Sequence, residues 1–453
     1  MLTEYSILQM GFATNRTARV AGVFLILVLP TAKISAQQTL TSFIDQPLTL
    51  PEAISQSLRL NPSSLSAMEQ VSQAEAAVKQ SQAPLHFQLT FNSEGGVSNA
   101  NVIQPPPSSE TFGAIQNSLT VPIPVGPKDE IGVRQAVEAL AAAKMVYLSS
   151  ETALSSKVAA AYFDLLRKRA LVKAAQLDLE TSQRELSDAQ ARKAAGDIPE
   201  LDVQQAQVPA AVNQAALLTA QSAESVAQET LNDLLCRPLD DELAIQDTDT
   251  APSAPNFSLS EARTMTLAAS PDVAAADAAV RQSVAAEAAA RHYNDPSLSL
   301  QAIDLRSGDQ TSFSREDTLQ AGVAIPLDDG GLQRAVLQSA VSATNQAKLV
   351  AESARKSAIA AVSAAYLQVE SSLAEVAATS SAQDIAQSTY EKTRLGYTNG
   401  LYPLVDALTA EKAAADARAA YIQSLYDAAQ SRYTLDIDVN GLFANKTMDI
   451  NPH

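Results

Sequence analysis

The chain has no tryptophan, one cysteine and three histidines in 453 residues. A lone thiol, Cys236, cannot build a disulfide framework, and its place near a helix end suits a small buried residue. The histidines, His86, His292 and His453, are scattered and give no pair at zinc-binding spacing. No glycine is followed by lysine, so a phosphate loop is absent. Gly396-Tyr-Thr-Asn-Gly400 has the glycine spacing of a nucleophile elbow, but with Thr in place of Ser and in a turn that follows a helix. No catalytic group, cofactor or metal site is therefore expected. Aromatics are only 5%, which excludes a large aromatic core, and the longest apolar run is too short for a membrane-spanning helix. A net charge of −18 argues against nucleic acid or an anionic membrane surface as partner.

What is present is helix-forming sequence on an unusual scale. Residues 133–195 contain no Gly and no Pro, and neither do residues 332–395. Their Ala, Leu, Gln, Glu, Ser and Lys favour helix, and 63 residues would span ~95 Å. The first run ends in Gly196-Asp197-Ile198-Pro199, a left-handed cap followed by a helix-opening proline. The second ends in Gly396-Tyr397-Thr398-Asn399-Gly400-Leu401-Tyr402-Pro403. Each turn returns the chain as a shorter antiparallel helix, the first of them carrying Pro209, which should kink it or displace its backbone hydrogen bonds. Leu154, Val158, Tyr162 and Leu165 have coiled-coil spacing and form a packing seam.

The arrangement is duplicated. Leu48-Thr-Leu-Pro-Glu-Ala53 matches Phe257-Ser-Leu-Ser-Glu-Ala262, and Asn61-Pro62 matches Ser270-Pro271. Val158, Tyr162, Leu165, Gly196, Asp202 and Leu231 match Val362, Tyr366, Val369, Gly400, Asp406 and Leu435 at one constant offset. The organisation expected is a signal peptide over 1–36, a lead-in over 37–47, a first repeat over 48–238, a linker over 239–256, a second repeat over 257–442 and a disordered tail over 443–453. The signal rests on Arg16 and Arg19 before an apolar run and on Ile34-Ser35-Ala36 as a cleavage site, with translation starting at Met1 or Met10.

Inside each repeat the hydrophobic period changes from helical to two. Strands are predicted at about 85–93 and 113–124, and again at about 297–305 and 318–327. Polar loops are predicted between them, before Thr111 and over 306–317. Strands of nine to eleven residues, apolar on one face and polar on the other, suit lipid on one side and water on the other. Lipid tolerates no open sheet edge. Four strands cannot close a barrel, so several chains would have to share one. The alternative is a periplasmic coiled-coil scaffold or adaptor without a pore, which needs the signal and the helices but not the strands.

These features together resemble the TolC-like outer membrane efflux protein family. The resemblance covers residues 48–442. It rests on the openings Leu50-x-Glu-Ala53 and Leu259-x-Glu-Ala262, the Asn61-Pro62 step, and Arg192-x-x-x-Gly196 followed by Leu201-Asp202-Val203. It implies a mainly α fold with a small membrane β part: a homotrimeric helical tunnel joined to a shared 12-stranded barrel with four strands per chain. It implies a duct through the outer membrane and periplasm that exports toxic compounds or proteins, docked on a periplasmic adaptor and an inner-membrane pump. It places the entrance at the hairpin tips, with Gly196, Asp197, Gly400 and Leu401 meeting the adaptor. Asp406 matches a ring of carboxylates around the aperture, and Thr409 stands where a second ring member would be. Asp202 and Tyr397 match an entrance latch, whose partner Arg is replaced here by Tyr402. Family members acylated on an N-terminal Cys have no counterpart in this chain.

Overall fold

The structure, a computed structural model, describes residues 47–102, 108–247, 253–308 and 312–440. The predicted signal peptide and tail lie outside the described residues. The described residues begin with two short helices, α1 (Leu50–Leu60) and α2 (Pro62–Gln82), then a 3-10 turn at Ala83–Leu85. Strands β1 (Thr90–Val102) and β2 (Ser108–Ile123) lead into the long helix α3 (Lys128–Ala195) and its return α4 (Glu200–Leu234). The second repeat runs in the same order: α5 (Leu259–Ala269), α6 (Pro271–Arg291), β3 (Ser297–Gly308), β4 (Phe313–Ala324), α7 (Leu332–Thr398) and α8 (Leu404–Asn440). Among the described residues no helix is long and apolar enough to cross a membrane.

The duplication extends to individual hydrogen bonds. The backbone N–H of Thr49 donates to Glu52 Oε2 at 3.0 Å, and that of Ser258 to Glu261 Oε2 at 2.8 Å, so both repeats open with a reciprocal cap. Asn61 and Ser270 then cap α2 and α6 from a side-chain oxygen. The Tyr162 hydroxyl lies 2.9 Å from the Leu48 carbonyl and 2.7 Å from that of Gln246; Tyr366 donates to the carbonyl of Phe257 at 3.3 Å. Both tyrosines are therefore structural.

The short helices meet end to end. Ser57 Oγ donates to the Leu234 carbonyl at 2.8 Å, joining the last turn of α1 to the end of α4. Thr266 Oγ1 donates to the Asp438 carbonyl at 3.1 Å and makes the matching joint at the end of α8. Helix ends leave carbonyls without intrahelical partners, and here a neighbouring hydroxyl satisfies one of them. α3 packs on α2, α4, α6 and α8, and α7 packs on α5, α6 and α8. The main core lies at the first joint, where Leu154, Val158, Tyr162 and Leu165 of the predicted seam are buried with Ile54, Leu231 and Leu235. Val362, Val369, Leu435 and Val439 form its smaller counterpart.

Several expectations need correction. The predicted linker is tied down over its described part: Leu48 bridges Ile245, Leu243 is buried, and Arg169 Nη2 donates to the Leu243 carbonyl at 2.6 Å. Cys236 is exposed rather than buried. It takes the left-handed position after α4 at φ +55°, where the Arg237 N–H reaches back to the Asn232 carbonyl, and this turn leaves the residue at the surface with its thiol 3.5 Å from the Leu60 carbonyl. α7 does not stop at Leu395 but continues through a buried Gly396 to Thr398.

The four strands form one antiparallel sheet in the order β1-β2-β3-β4, so β1 and β4 are its edges. The paired segments are displaced from the predicted ones. Residues 86–89 lie outside the ladder, and β1 runs instead from Thr90 to Val102. The expected loops are largely strand, since β2 starts at Ser108 and β3 and β4 reach Gly308 and Phe313. A ladder needs only backbone groups, so Gly, Ser and Asn can continue it beyond the apolar stretch. One face carries the rows Phe91-Leu119-Ala302-Leu319, Val121-Leu300-Ala321 and Ile123-Leu298-Val323. The other carries Asn92-Ser118-Ile303-Thr318 and Glu94-Gln116-Leu305-Glu316, with Gln320 bonded to Gln301 at 2.8 Å.

Candidate entrance at the hairpin tips

Both hairpin turns close in the same way. The N–H of Gly196 donates to the Lys193 carbonyl at 2.9 Å and that of Asp197 to Arg192 at 2.9 Å. The N–H of Gly400 donates to Tyr397 at 3.0 Å and that of Leu401 to Gly396 at 2.8 Å. The two glycines sit at φ +83° and +73°. A side chain in that region costs about 1–2 kcal/mol. Gly196→Ala and Gly400→Ala should therefore each lower the thermal midpoint, whereas Gly132→Ala, inside α3 with open space at its Cβ, should not.

Gly196, Asp197, Gly400 and Leu401 are all exposed at these turns, and Lys193 pairs with Glu200 across the first. The tips are held against each other by a small cluster: Ala189, Val203, Ala206 and Leu404 are buried, with Leu186, Ile198, Tyr397 and Leu408 packed around them. The Arg192 guanidinium lies 4.8 Å from the Tyr397 ring centroid, a cation–π contact. Gly396 occupies the position of Arg192 in the second repeat. A Cβ there would run into the Tyr402 ring, so this glycine makes room for Tyr402.

The structure thus brings Tyr397 to the first hairpin. Its hydroxyl is buried and makes no hydrogen bond among the described residues, so the Asp202 bond expected of a latch is not made within one chain. Burial pushes the Tyr397 phenol up; Arg192 opposes that rise and Asp202 adds to it, which places the Asp202 charge in the same neighbourhood. Asp406 is exposed in the first turn of α8, where a carboxylate favours the helix N-terminus. Thr409 turns back on its own helix, donating to the Val405 carbonyl at 2.7 Å.

Above the tips, α3 and α8 face each other across a ladder of ionisable groups. Arg167 pairs with Asp427 at 3.0 Å and Asp178 with Arg418 at 2.5 Å. The next rung toward the tips is Glu185 opposite Glu411. Glu185 Oε1 accepts from the Tyr390 hydroxyl of α7 at 2.5 Å, while its Oε2 and both Glu411 oxygens are buried with no donor. Burial first, then the hydrogen bond and charge of Glu185, push Glu411 up to about 8. Asp178 is also raised by burial, against the pull of Arg418. Sequence reasoning missed this ladder. Its signal was available, because residues equally far from a hairpin tip must face one another once the two repeats lie side by side.

With this geometry in view, the profile of the family described as "Outer membrane efflux protein" matches residues 53–237 and 263–437, most of both repeats. The chain belongs to that family. No curated protein matches the chain. Among solved structures, this efflux protein is similar in fold to the outer membrane protein VceC from Vibrio cholerae, at 20% identity and TM-score 0.72, covering 86% of this chain and 96% of that one. It is similar to CusC, described in terms of transmembrane channel formation, at 18% identity and TM-score 0.76, covering 89% and 95%. It is also similar to the Neisseria gonorrhoeae MtrE outer membrane channel in its open state, at 19% identity and TM-score 0.72, covering 86% and 89%.

Proposed function

We propose that this efflux protein is the exit duct of a tripartite efflux or type I secretion system. Three chains share one 12-stranded barrel in the outer membrane, and their helices form a tunnel that reaches through the periplasm to the hairpin tips. Small toxic compounds or proteins would enter there from an inner-membrane pump through a periplasmic adaptor docked on Gly196, Asp197, Gly400 and Leu401. Asp406 lines the opening, and Asp202 and Tyr397 close it.

The observation that carries this reading is the sheet. It is open at β1 and β4, apolar on one face and polar on the other. The apolar alternation continues past the ladder through Leu89, Phe87, Ile325 and Leu327, all exposed. From Leu319 to Leu327 this belt is about 26 Å long at the rise of a strand, which at the tilt of barrel strands is about 20 Å of height, most of the apolar band of a barrel. An isolated sheet of this kind would leave both edges unpaired in lipid, so closure with further copies is the physical solution.

The test is extraction and mass. Salt washing should leave the protein in the membrane fraction, and mild detergent should release a particle of three chains by native mass spectrometry. Release by salt alone, or a stable monomer in detergent, would favour the scaffold reading. The latch has its own test. If Tyr397 and Asp202 close on each other in the assembled entrance, Tyr397→Phe should raise single-channel conductance in planar bilayers. Unchanged conductance from an intact trimer would remove the latch from the mechanism.

A further inference from the structure

The ladder between α3 and α8 changes character at its last rung. Two rungs pair opposite charges, Arg167 with Asp427 and Asp178 with Arg418. The third sets Glu185 within hydrogen-bonding reach of Glu411, with three of their four oxygens buried, next to the cluster that holds the tips together. We propose that Glu185 and Glu411 share one proton, and that losing it to solvent drives α3 away from α8 and opens the entrance beside the tips. This rests on the channel reading of the chain.

The surroundings support a proton rather than two charges. The elements packed on Glu411 bring mostly acidic or already engaged groups to it. On α3 the facing groups are Glu185 and Asp178, both acidic. On α7 they are the Tyr390 phenol, already donating to Glu185, and Arg394, whose charge lowers the Glu411 pKa but is outweighed by burial and the acidic neighbours. On α8 itself, Arg418 is held by Asp178 and Gln387, and Lys412 by Asp416. α4 carries no titratable side chain between Asp202 and Glu224. With both carboxyls ionised, no donor reaches three of their four oxygens. A proton on Glu411 converts that repulsion into a carboxyl–carboxylate hydrogen bond and joins the two hairpins.

The direction follows from the raised affinity of Glu411 for its proton. The closed contact binds a proton that a separated Glu411 gives up near the ordinary value of 4.5, so closure is fully supported below that value. The support is lost as pH rises through about 8. A rise in pH over this window therefore opens the tips, and each proton released shifts the open-to-closed ratio by up to about tenfold per pH unit.

The experiment uses the full-length trimer in planar bilayers, with pH varied on the side facing the hairpin tips, and infrared difference spectra of the same sample. The wild type should gain open probability with rising pH while a protonated-carboxyl band disappears. Glu411→Gln keeps the shape and cannot ionise; it should remain at the low-pH open probability throughout and lack the band. Glu185→Gln, as a second variant, should be equally insensitive to pH. An infrared band that persists in Glu411→Gln, or an unchanged pH response in both variants, would overturn the proposal. A protein that conducts at every pH without responding would also overturn it. A protein that conducts at no pH would count against the duct itself, and the infrared comparison would then decide the shared proton alone.

Discussion

Leu165→Ala is expected to lower stability by about 2–5 kcal/mol, the usual cost of a cavity in a packed core. Leu165 is fully buried at the junction of α1, α3 and α4, in the cluster with Val158, Tyr162 and Leu231. The surrounding elements are braced by Ser57 on Leu234 and by Tyr162 on Leu48 and Gln246, so they can collapse only partly into the space left behind. Circular dichroism on heating should show a lower midpoint for this variant. Leu401→Ala, at an exposed tip position, should stay within about 0.5 kcal/mol of the parent and serve as the control. Equal midpoints for the two variants would mean that the core at this joint does not hold the chain together.

Asp406→Asn should reduce cation selectivity and weaken block by multivalent cations added at the tips. Asp406 is exposed in the first turn of α8, six residues past the tip glycine Gly400. In a three-fold assembly three copies would surround one axis, and a narrow low-dielectric opening would focus their field. Asn keeps the shape and removes the charge. A reversal potential measured in a salt gradient should shift toward the non-selective value. The competing account is that Asp406 only favours the N-terminus of its own helix. In that case the substitution would lower the melting temperature slightly and leave the reversal potential where it was.

The helices and their duplication were legible because they are written in local signals: uninterrupted helix-forming runs, and capping residues repeated at constant offset. The seam residues proved to be core, and Gly196 and Gly400 proved to be the caps. The strands were legible in kind but displaced in position. Alternation at Leu85, Phe87 and Leu89 reports which side chains face an apolar medium, whereas pairing is a property of the backbone and reaches on through Gly95, Gly96 and Asn101. Cys236 was misjudged because its composition says small and apolar, while the left-handed turn that ends α4 leaves it at the surface. At the hairpin tips, distance from a turn glycine was enough to put Asp202 and Asp406 in the first turns of the return helices. The Glu185–Glu411 contact could not be read from either helix alone, since each carboxylate is unremarkable until the other hairpin lies against it.

The two joints also have a mechanical meaning. α4 ends where α1 gives way to α2, α8 ends where α5 gives way to α6, and side chains bridge each gap: Gln56, Ser57 and Asn61 at the first, Thr266 at the second. A rod spliced in this way bears compression nearly as well as a continuous helix, because its ends abut. It bears torsion poorly, because no backbone crosses the splice. α3 and α7 pass their own splices unbroken and must carry whatever twist is applied. A rotation started at the tips therefore reaches the strands only through α3 and α7, the two helices that follow β2 and β4 directly.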